Sequence, residues 1–267
     1  MKKKINLLTI ALLLMGILTG CGNVQKEDTS LKNIESRGKI VLGTAADYAP
    51  YEWHIIDGKK DEIVGVDIEI AKKVAEDLGV KLEIKDMQFS GLFPALDAGD
   101  IDMVIAGMVV DEKRLEAADF TKPYFEQGQV LLVKQENADK YKSQGDLKGK
   151  KIGTQLGTTQ QEYADKNFSS EVIAIPNNND LVMELENGSL DAVFMSELTA
   201  KQFASVNKNL KVVEIKDMPT EGGSCIAVKK GNTALVNALN ESVEKLTKTD
   251  QIQKWFVEYT KLADENK

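Results

Sequence analysis

The chain has 267 residues, of which 42% are hydrophobic, and its formal net charge is -8 at pH 7. This much apolar sequence can build one large domain or two lobes, and the acidic balance argues against nucleic acid as a partner. His54 is the single histidine, which excludes a histidine-based catalytic triad and a multi-histidine metal site. We expect no metal and no cofactor.

The first 20 residues have the pattern of a secretion signal. Lysines at positions 2–4 precede an apolar run, residues 7–18, that is too short to span a bilayer. Residues 18–21, Leu-Thr-Gly-Cys, resemble a bacterial lipobox, in which the chain is cut before the cysteine and the thiol is lipidated. The alternative is an ordinary signal peptide with an incidental cysteine.

A lipidated Cys21 determines the predicted location of the protein. A thioether-linked diacylglycerol supplies two acyl chains, which is enough for stable anchoring. We therefore expect the protein on the extracytoplasmic face of the cell membrane, held there by the lipid alone. Lipidation would leave Cys225 without a disulfide partner. Residues 21–33 are polar and lack periodicity, which predicts a flexible linker.

From residue 39 onward the chain alternates strand and helix patterns. Residues 39–43 and 102–106 are short apolar runs, as expected of buried parallel strands. Between them, apolar residues recur at helical spacing over residues 70–78, and residues 82–84 alternate as a strand does. Such alternation predicts βαβ units and an open α/β sheet.

The same pattern recurs farther along the chain. Residues 96–104 match residues 185–193 in residue type at most positions, and each segment has the pattern of a helix end, a glycine and a buried strand. Residues 39–44 are echoed more loosely by residues 150–154. These echoes, in the same order, predict two similar α/β lobes. A ligand cleft is expected where the carboxyl ends of their strands face each other.

Charged and polar residues follow two of these strands. Asp111 fits an N-cap, which puts Arg114 in the first turn of a helix beside the cleft. A guanidinium there can bind a carboxylate through two hydrogen bonds, and a solvated surface arginine is the alternative. In the second lobe, Gly157 precedes the capping-box pattern Thr159-x-x-Glu162, whose N–H groups and hydroxyls suit an anion. Capping boxes commonly serve structure alone.

Short motifs in a shared order connect the chain to a known family. They lie at residues 65–70, 89–96, 107–114, 119–124, 147–153, 157–159, 226–232 and 254–256. In this order they resemble the polar amino acid ABC-transporter substrate-binding proteins, which are extracellular solute-binding proteins of family 3. The resemblance covers residues 39–256.

The resemblance implies an α/β fold of the type II periplasmic-binding-protein kind. Its ligand cleft lies between two lobes joined by two hinge strands. Lobe 1 would comprise residues 34–127 and 217–267, and lobe 2 residues 128–216. The hinge strands are expected at residues 127–134 and 214–220.

The resemblance also implies roles for particular residues. Arg114 matches the arginine that holds the ligand's α-carboxylate, with Thr159 and the backbone at Gly107 and Val109 assisting. The set is completed by an aromatic pair that sandwiches the ligand's side chain and by an acidic residue at the far end of the pocket, namely Tyr48, Phe89 and Asp67.

Two positions depart from the family pattern. Ser196 stands where an aspartate usually pairs with the α-ammonium, and Ala45 stands where binders of lysine or arginine can carry an aspartate. The α-ammonium would then be bound by the adjacent Glu197, or by Ser196 through a water. A cationic side chain is modestly favoured, because Glu52 or Glu197 would add negative charge to that of Asp67.

The resemblance, with the lipobox pattern, implies a non-enzymatic, lipid-anchored binding protein of an ABC importer. As a monomer it would capture a polar L-amino acid and deliver it to a permease and its ATPase, without any catalytic residue. One alternative is a dehydratase-type enzyme on the same scaffold, with Glu197 or Asp67 as its general acid or base. Another is an amino-acid sensor lobe.

Overall fold

A computed structural model describes residues 28–126, 128–216, 218 and 222–265. The predicted signal peptide 1–20, the lipidation site Cys21 and the first part of the predicted linker lie outside these residues. Helix α1 (Ser30–Arg37) begins inside that linker, so the prediction of a flexible segment is wrong for residues 30–33. Asp28 accepts hydrogen bonds from the N–H groups of Ser30 at 2.9 Å and Ala234 at 2.5 Å, and Ile34 is buried; these contacts attach the helix to the folded chain.

Strands and helices alternate along the described chain, as the hydrophobic pattern predicts. The first part contains β1 (Lys39–Thr44), β2 (Asp47–Tyr48), β3 (Glu52–Asp57), β4 (Lys60–Val64), α2 (Val66–Asp77), β5 (Lys81–Asp86), α3 (Leu92–Ala98), β6 (Met103–Val104), α4 (Glu112–Ala117) and β7 (Ala118–Phe120). The second part contains β8 (Gln129–Lys134), β9 (Lys151–Gln155), α5 (Thr159–Asn167), β10 (Glu171–Ile175), α6 (Asn178–Asn187), β11 (Ala192–Ser196), α7 (Glu197–Val206) and β12 (Leu210–Val213). The last part contains β13 (Ala227–Lys229), α8 (Thr233–Lys248) and α9 (Gln251–Glu265).

The strands form two five-stranded sheets of the same design. The first has the order β5-β1-β6-β13-β7 and the second the order β10-β9-β11-β8-β12. In each sheet the first three strands are parallel, and each of the last two is antiparallel to the strand before it. A smaller sheet, β2-β3-β4, adjoins the first. The predicted two-lobed α/β fold is confirmed; lobe 1 is the part built on the first sheet and lobe 2 the part built on the second.

The sequence echo reflects a packing arrangement that the two sheets share. A Cβ on Gly43 of β1 would lie 2.3 Å from Cδ1 of Ile101, and a Cβ on Gly153 of β9 would lie 2.5 Å from Cδ1 of Leu190. Ile101 and Leu190 occupy equivalent positions in the echoed segments. Each glycine therefore lets the residue that enters the neighbouring strand pack directly onto the sheet.

The chain leaves the first sheet after β7 and returns to it at β13. Residues 129–134 pair with β11 and β12 inside the second sheet, so the predicted hinge strand 127–134 is wrong over these residues. Before β8, Phe125 pairs with Ser224, which brings the outgoing and returning segments side by side. Part of the predicted segment 214–220 lies outside the described residues, and the lobe boundaries stay predictions.

The C-terminal helix α9 touches both lobes. Its buried side chains Ile252 and Phe256 belong to the core of lobe 1, where the ring of Phe256 packs on Phe125 at 3.9 Å between centroids. The same helix lies against α7 of lobe 2, and the carboxylate of Asp264 accepts a hydrogen bond from Ser205.

Candidate functional site

Strand ends and loops from both lobes meet around a cavity. Its lobe 1 side is aromatic and charged, and its lobe 2 side is mainly polar. The lining consists of Ala45, Asp47, Tyr48, Glu52, Phe89, Ala106, Gly107, Val109 and Arg114 from lobe 1, and of Gln155, Thr158, Thr159, Gln160, Asn178, Phe194 and Met195 from lobe 2. Of the predicted binding residues, the structure leaves three outside this lining, namely Asp67, Ser196 and Glu197.

Arg114 is held beside the cavity by contacts from both lobes. Asp111 is the N-cap of α4, as predicted: its Oδ1 accepts the N–H of Arg114 at 2.7 Å, and its Oδ2 lies 3.4 Å from Nε. Nη1 donates to the carbonyl of Val109 at 2.6 Å, and Nη2 donates across the cleft to the carbonyl of Gly157 at 3.1 Å. Because Arg114 is only 8% exposed, the alternative of a solvated surface arginine is wrong.

Aromatic rings lie around the guanidinium and along the cavity. Cζ of Arg114 is 5.6 Å from the ring centroid of Phe89 and 5.8 Å from that of Phe93, within the range of cation–π attraction. The ring of Tyr48 stacks on Tyr51 with 5.2 Å between centroids. Tyr48 and Phe89 both line the cavity, and their sandwiching of a ligand stays a prediction.

A buried acidic cluster lies at the lobe 1 side of the cavity. Glu52 is 1% exposed and lines the cavity, whereas Asp67 is fully buried outside the lining. Asp67 accepts hydrogen bonds from the N–H of Gly107 at 2.8 Å and from the hydroxyl of Tyr124 at 2.9 Å. Of these two acids, the structure therefore places Glu52, and not Asp67, at the cavity. The N–H of Gly107 is committed to Asp67, so it does not assist a ligand.

Burial changes the protonation of this cluster. It raises the pKa of Glu52 well above the usual 4.5, and the negative charges of Asp67, Asp47 and Asp86 add to the effect. Burial also raises the pKa of Asp67 to about 6, despite the hydrogen bonds that it accepts. Two adjacent carboxyls in a buried site disfavour double ionisation, so both pKa values shift toward the protonated acid.

The lobe 2 side of the cavity is built on the first turn of α5. The N-cap is Thr158, whose hydroxyl accepts the N–H of Gln161 at 3.2 Å. The predicted capping box from Thr159 to Glu162 is therefore wrong by one residue. Because Thr158 does the capping, Thr159 is the first helical residue, and it lines the cavity as the resemblance implies.

Ser196 and Glu197 lie outside the cavity lining. Ser196 is fully buried at the end of β11, where its hydroxyl forms a hydrogen bond with the hydroxyl of Tyr48. Glu197 pairs with Lys201 one turn along α7. Ser196 therefore lies next in sequence to Met195, which lines the cavity, while the side chain of Glu197 points toward Lys201.

Three polar residues that the sequence reasoning missed meet at the cavity. Oδ2 of Asp47 accepts the backbone N–H of Asn178 at 2.8 Å, and Oδ1 accepts the side-chain amides of Asn178 at 3.1 Å and Gln155 at 3.4 Å. Burial raises the pKa of Asp47, although these hydrogen bonds oppose the rise. Asp47 comes soon after β1, Gln155 ends β9 and Asn178 follows β10. The rule that ligands bind at the carboxyl ends of strands could have found all three.

Two other residues with reactive side chains lie away from the cavity. His54 is hydrogen-bonded to Asp61 at 2.7 Å and to Asp86 at 3.2 Å; partial burial lowers its pKa, but the two carboxylates raise it more. Burial raises the pKa of the Cys225 thiol to about 11, which makes it a poor nucleophile at neutral pH. Among the residues that the structure describes, no cluster of His, Cys, Asp and Glu side chains is suited to a metal ion.

The chain matches known proteins over nearly its whole length. The model of the bacterial extracellular solute-binding proteins, family 3, matches residues 40–261. The arginine-binding extracellular protein ArtP of Bacillus subtilis (strain 168) is 30% identical over an alignment of 262 residues that covers 95% of this chain and 98% of ArtP. The ABC transporter glutamine-binding protein GlnH of the same strain is 33% identical over 277 residues, covering 97% of this chain and 98% of GlnH. The crystal structure of AbpA, an amino acid ABC transporter substrate-binding protein from Streptococcus pneumoniae Canada MDR_19A bound to L-arginine, has a TM-score of 0.85 at 32% identity, over 88% of this chain and 100% of AbpA.

Two lobes with a cavity between their strand ends define a solute-binding protein, and the relatives are named as binding proteins and not as enzymes. The chain belongs to the bacterial extracellular solute-binding proteins of family 3. Within the described ranges, no helix combines the length and the apolar character that crossing a membrane requires.

Proposed function

We propose that this protein captures a polar L-amino acid outside the cytoplasm and delivers it to the permease and ATPase of an ABC importer, with a basic amino acid favoured. The observation that carries the choice of ligand is a cavity lined by both a buried arginine, Arg114, and a buried acid, Glu52. A ligand with a carboxylate at one end and a positive charge at the other matches both groups.

Arg114 binds the α-carboxylate in this proposal. Its hydrogen bonds to the carbonyls of Val109 and Gly157 fix the plane of the guanidinium, and a planar fork of N–H groups matches a carboxylate. Thr159 adds a hydroxyl from lobe 2. Neither predicted partner of the α-ammonium lines the cavity, because Glu197 is paired with Lys201 and Ser196 is buried against Tyr48.

Tyr48 and Phe89 flank the stem of the ligand's side chain, and Glu52 meets its charge. Arginine is the ligand named for ArtP and present in the AbpA structure, which supports a basic ligand. Glutamine, named for GlnH, is the neutral alternative. An acidic amino acid is disfavoured, because Asp47 and Glu52 both line the cavity.

The structure gives no support to the dehydratase alternative, because its two candidate acids lie away from the cavity. Glu197 pairs with Lys201, and Asp67 is buried against Gly107 and Tyr124. Neither side chain lines the cavity, so neither reaches a substrate held there. No contact of the described residues favours the sensor alternative.

Titration calorimetry with arginine, lysine, glutamine, cystine and glutamate tests the proposed ligand. We expect arginine or lysine to bind more tightly than glutamine, and glutamate to bind least. Arg114→Ala should weaken binding by about 2–5 kcal/mol, because the ligand carboxylate loses a desolvated partner. Arg114→Lys should also lose much of the affinity, because the bidentate fork is gone.

The matched control is Arg37→Ala. Arg37 is the chain's other arginine, and it pairs with Asp102 at the surface with 41% of its side chain exposed. Its replacement should leave ligand affinity unchanged. Tight binding of glutamate alone, or wild-type affinity in Arg114→Ala, would show that the charge pattern of the pocket has been misread.

The proposal also includes a lipid anchor at Cys21, after removal of residues 1–20, on a protein that works as a monomer. Membrane fractionation of Cys21→Ser should show loss of the anchored form, because the thiol that carries the lipid is absent. Cys225→Ala is the control and should stay with the membrane, since Cys225 is buried. A Cys21→Ser protein that is still lipidated at its N-terminus would rule out this anchor.

A further inference from the structure

The carboxylate of Asp47 connects the two lobes through several hydrogen bonds. Asp47 lies in β2 of lobe 1, and all three hydrogen bonds described for its carboxylate come from lobe 2: the N–H and the side-chain amide of Asn178, and the amide of Gln155. Charge-assisted hydrogen bonds of this kind are among the stronger ones in proteins. Asn178 is the first residue of α6, so its N–H has no acceptor within the helix.

The position of this contact makes it a wall of the pocket. Asp47 lines the ligand cavity, and it also lines a second groove that opens between the lobes at Trp53, His54 and Phe203. The contact from Asp47 to Asn178 therefore separates the cavity from the groove. A ligand that leaves through this side must first break it.

We propose that Asp47 is a positioning residue that latches the closed cleft and sets how long any ligand stays bound. This inference rests on the proposed function, because it assigns part of the affinity for the captured amino acid to a contact between the two lobes. Hinge opening moves Asn178 and Gln155 away from Asp47. The latch therefore acts on the closed form alone, and it slows dissociation without changing the first encounter.

Stopped-flow binding of Asp47→Asn, with L-arginine and L-glutamine as separate probes, tests the latch. The substitution puts an amide N–H where the carboxylate accepted hydrogen bonds. We expect the dissociation rate constant to rise on the order of ten- to hundredfold, by the same factor for both amino acids. The association rate constant should stay unchanged. A loss confined to arginine would make Asp47 a direct contact of the ligand's cation, and an unchanged dissociation rate would overturn the latch outright.

Two further variants guard against a folding artefact. Asn178→Ala removes the 3.1 Å bond from the opposite lobe and should shift the dissociation rate in the same direction by a smaller factor. Asp61→Asn is the matched control, because Asp61 is an exposed lobe 1 carboxylate whose side chain bonds His54 and does not reach lobe 2. An Asp61→Asn protein that dissociates as fast as Asp47→Asn would contradict the proposal.

A measurement on the closed form separates failure of the latch from failure of the proposed function. Amide exchange at Asn178, followed by NMR in protein saturated with L-arginine, should be faster in Asp47→Asn than in wild type, because the N–H loses its acceptor in the closed form. Equal exchange rates in the two saturated proteins would overturn the latch and leave the proposed function in place. A wild type that binds no amino acid in calorimetry would overturn the proposed function, and the latch with it.

Discussion

Glu52 combines burial, negative neighbours and access to the cavity. It is 1% exposed, and its pKa lies well above 4.5, because burial and the charges of Asp67, Asp47 and Asp86 all disfavour the carboxylate. A bound guanidinium or ammonium reverses that balance by favouring the ionised form. Binding of a cationic ligand is therefore coupled to loss of a proton from Glu52, whereas binding of a neutral ligand is not.

Proton release on arginine binding is the expected consequence at the residue scale. The cation lowers the pKa of Glu52, so affinity for arginine should rise with pH below the ligand-free pKa, by up to about tenfold per pH unit. Calorimetry of arginine and glutamine in buffers of different ionisation enthalpy measures the protons released. Glu52→Gln should abolish release and weaken the preference for arginine. Equal proton counts for arginine and glutamine in the wild type would refute the coupling.

At the element scale, the short helix α4 and its cap position the guanidinium. Asp111 ends the preceding extended segment and accepts the N–H of Arg114 at 2.7 Å. The same carboxylate lies 3.4 Å from Nε of Arg114. A helix of six residues is too short to be stable through its own hydrogen bonds. The cap therefore matters both for the helix and for the direction of the arginine.

Asp111→Ala should lower the free energy of unfolding by about 1 kcal/mol, the usual loss for an N-cap, and should also weaken arginine binding several-fold. Denaturant titration and calorimetry measure the two effects. Ser143→Ala is the control, because Ser143 caps the 3-10 helix Gln144–Leu147 and does not line the cavity. It should lower stability and leave affinity intact. Wild-type affinity in Asp111→Ala would show that the cap of α4 does not position Arg114.

At the scale of the whole molecule, contacts across the cleft describe a closed arrangement. Lys113 of lobe 1 pairs with Glu162 of lobe 2 at 3.2 Å, and Arg114 donates to the carbonyl of Gly157 at 3.1 Å. A Cβ on Gly157 would lie 3.2 Å from Cβ of Ser90, so the lobes approach closely there. Opening the cleft must break all of these contacts, and a ligand held between them favours closure.

Small-angle scattering should show a smaller radius of gyration when arginine saturates the protein, because ligand contacts from both lobes draw them together. Glutamate at the same concentration is the control and should leave the profile unchanged, since it is not an expected ligand. An identical profile with and without saturating arginine would mean that the cleft is rigid.

The α/β class, the repeated unit and the cap at Asp111 follow from the sequence, because each depends on the period or spacing of neighbouring residues. The echo of residues 96–104 in residues 185–193 has its counterpart in the equivalent packing of Gly43 and Gly153. Local pattern also placed Arg114 correctly at a helix start. It failed by one residue at Thr158, because two adjacent threonines offer the same capping chemistry.

Tertiary structure alone decided which side chains reach the cavity. Glu52 lines it and Asp67 does not, because Gly107 and Tyr124 bind the Asp67 carboxylate. Asp47 meets Asn178 across 131 positions of sequence. Contacts between residues so far apart in sequence depend on how the two sheets are oriented relative to each other. The periodicity within either segment does not contain that information.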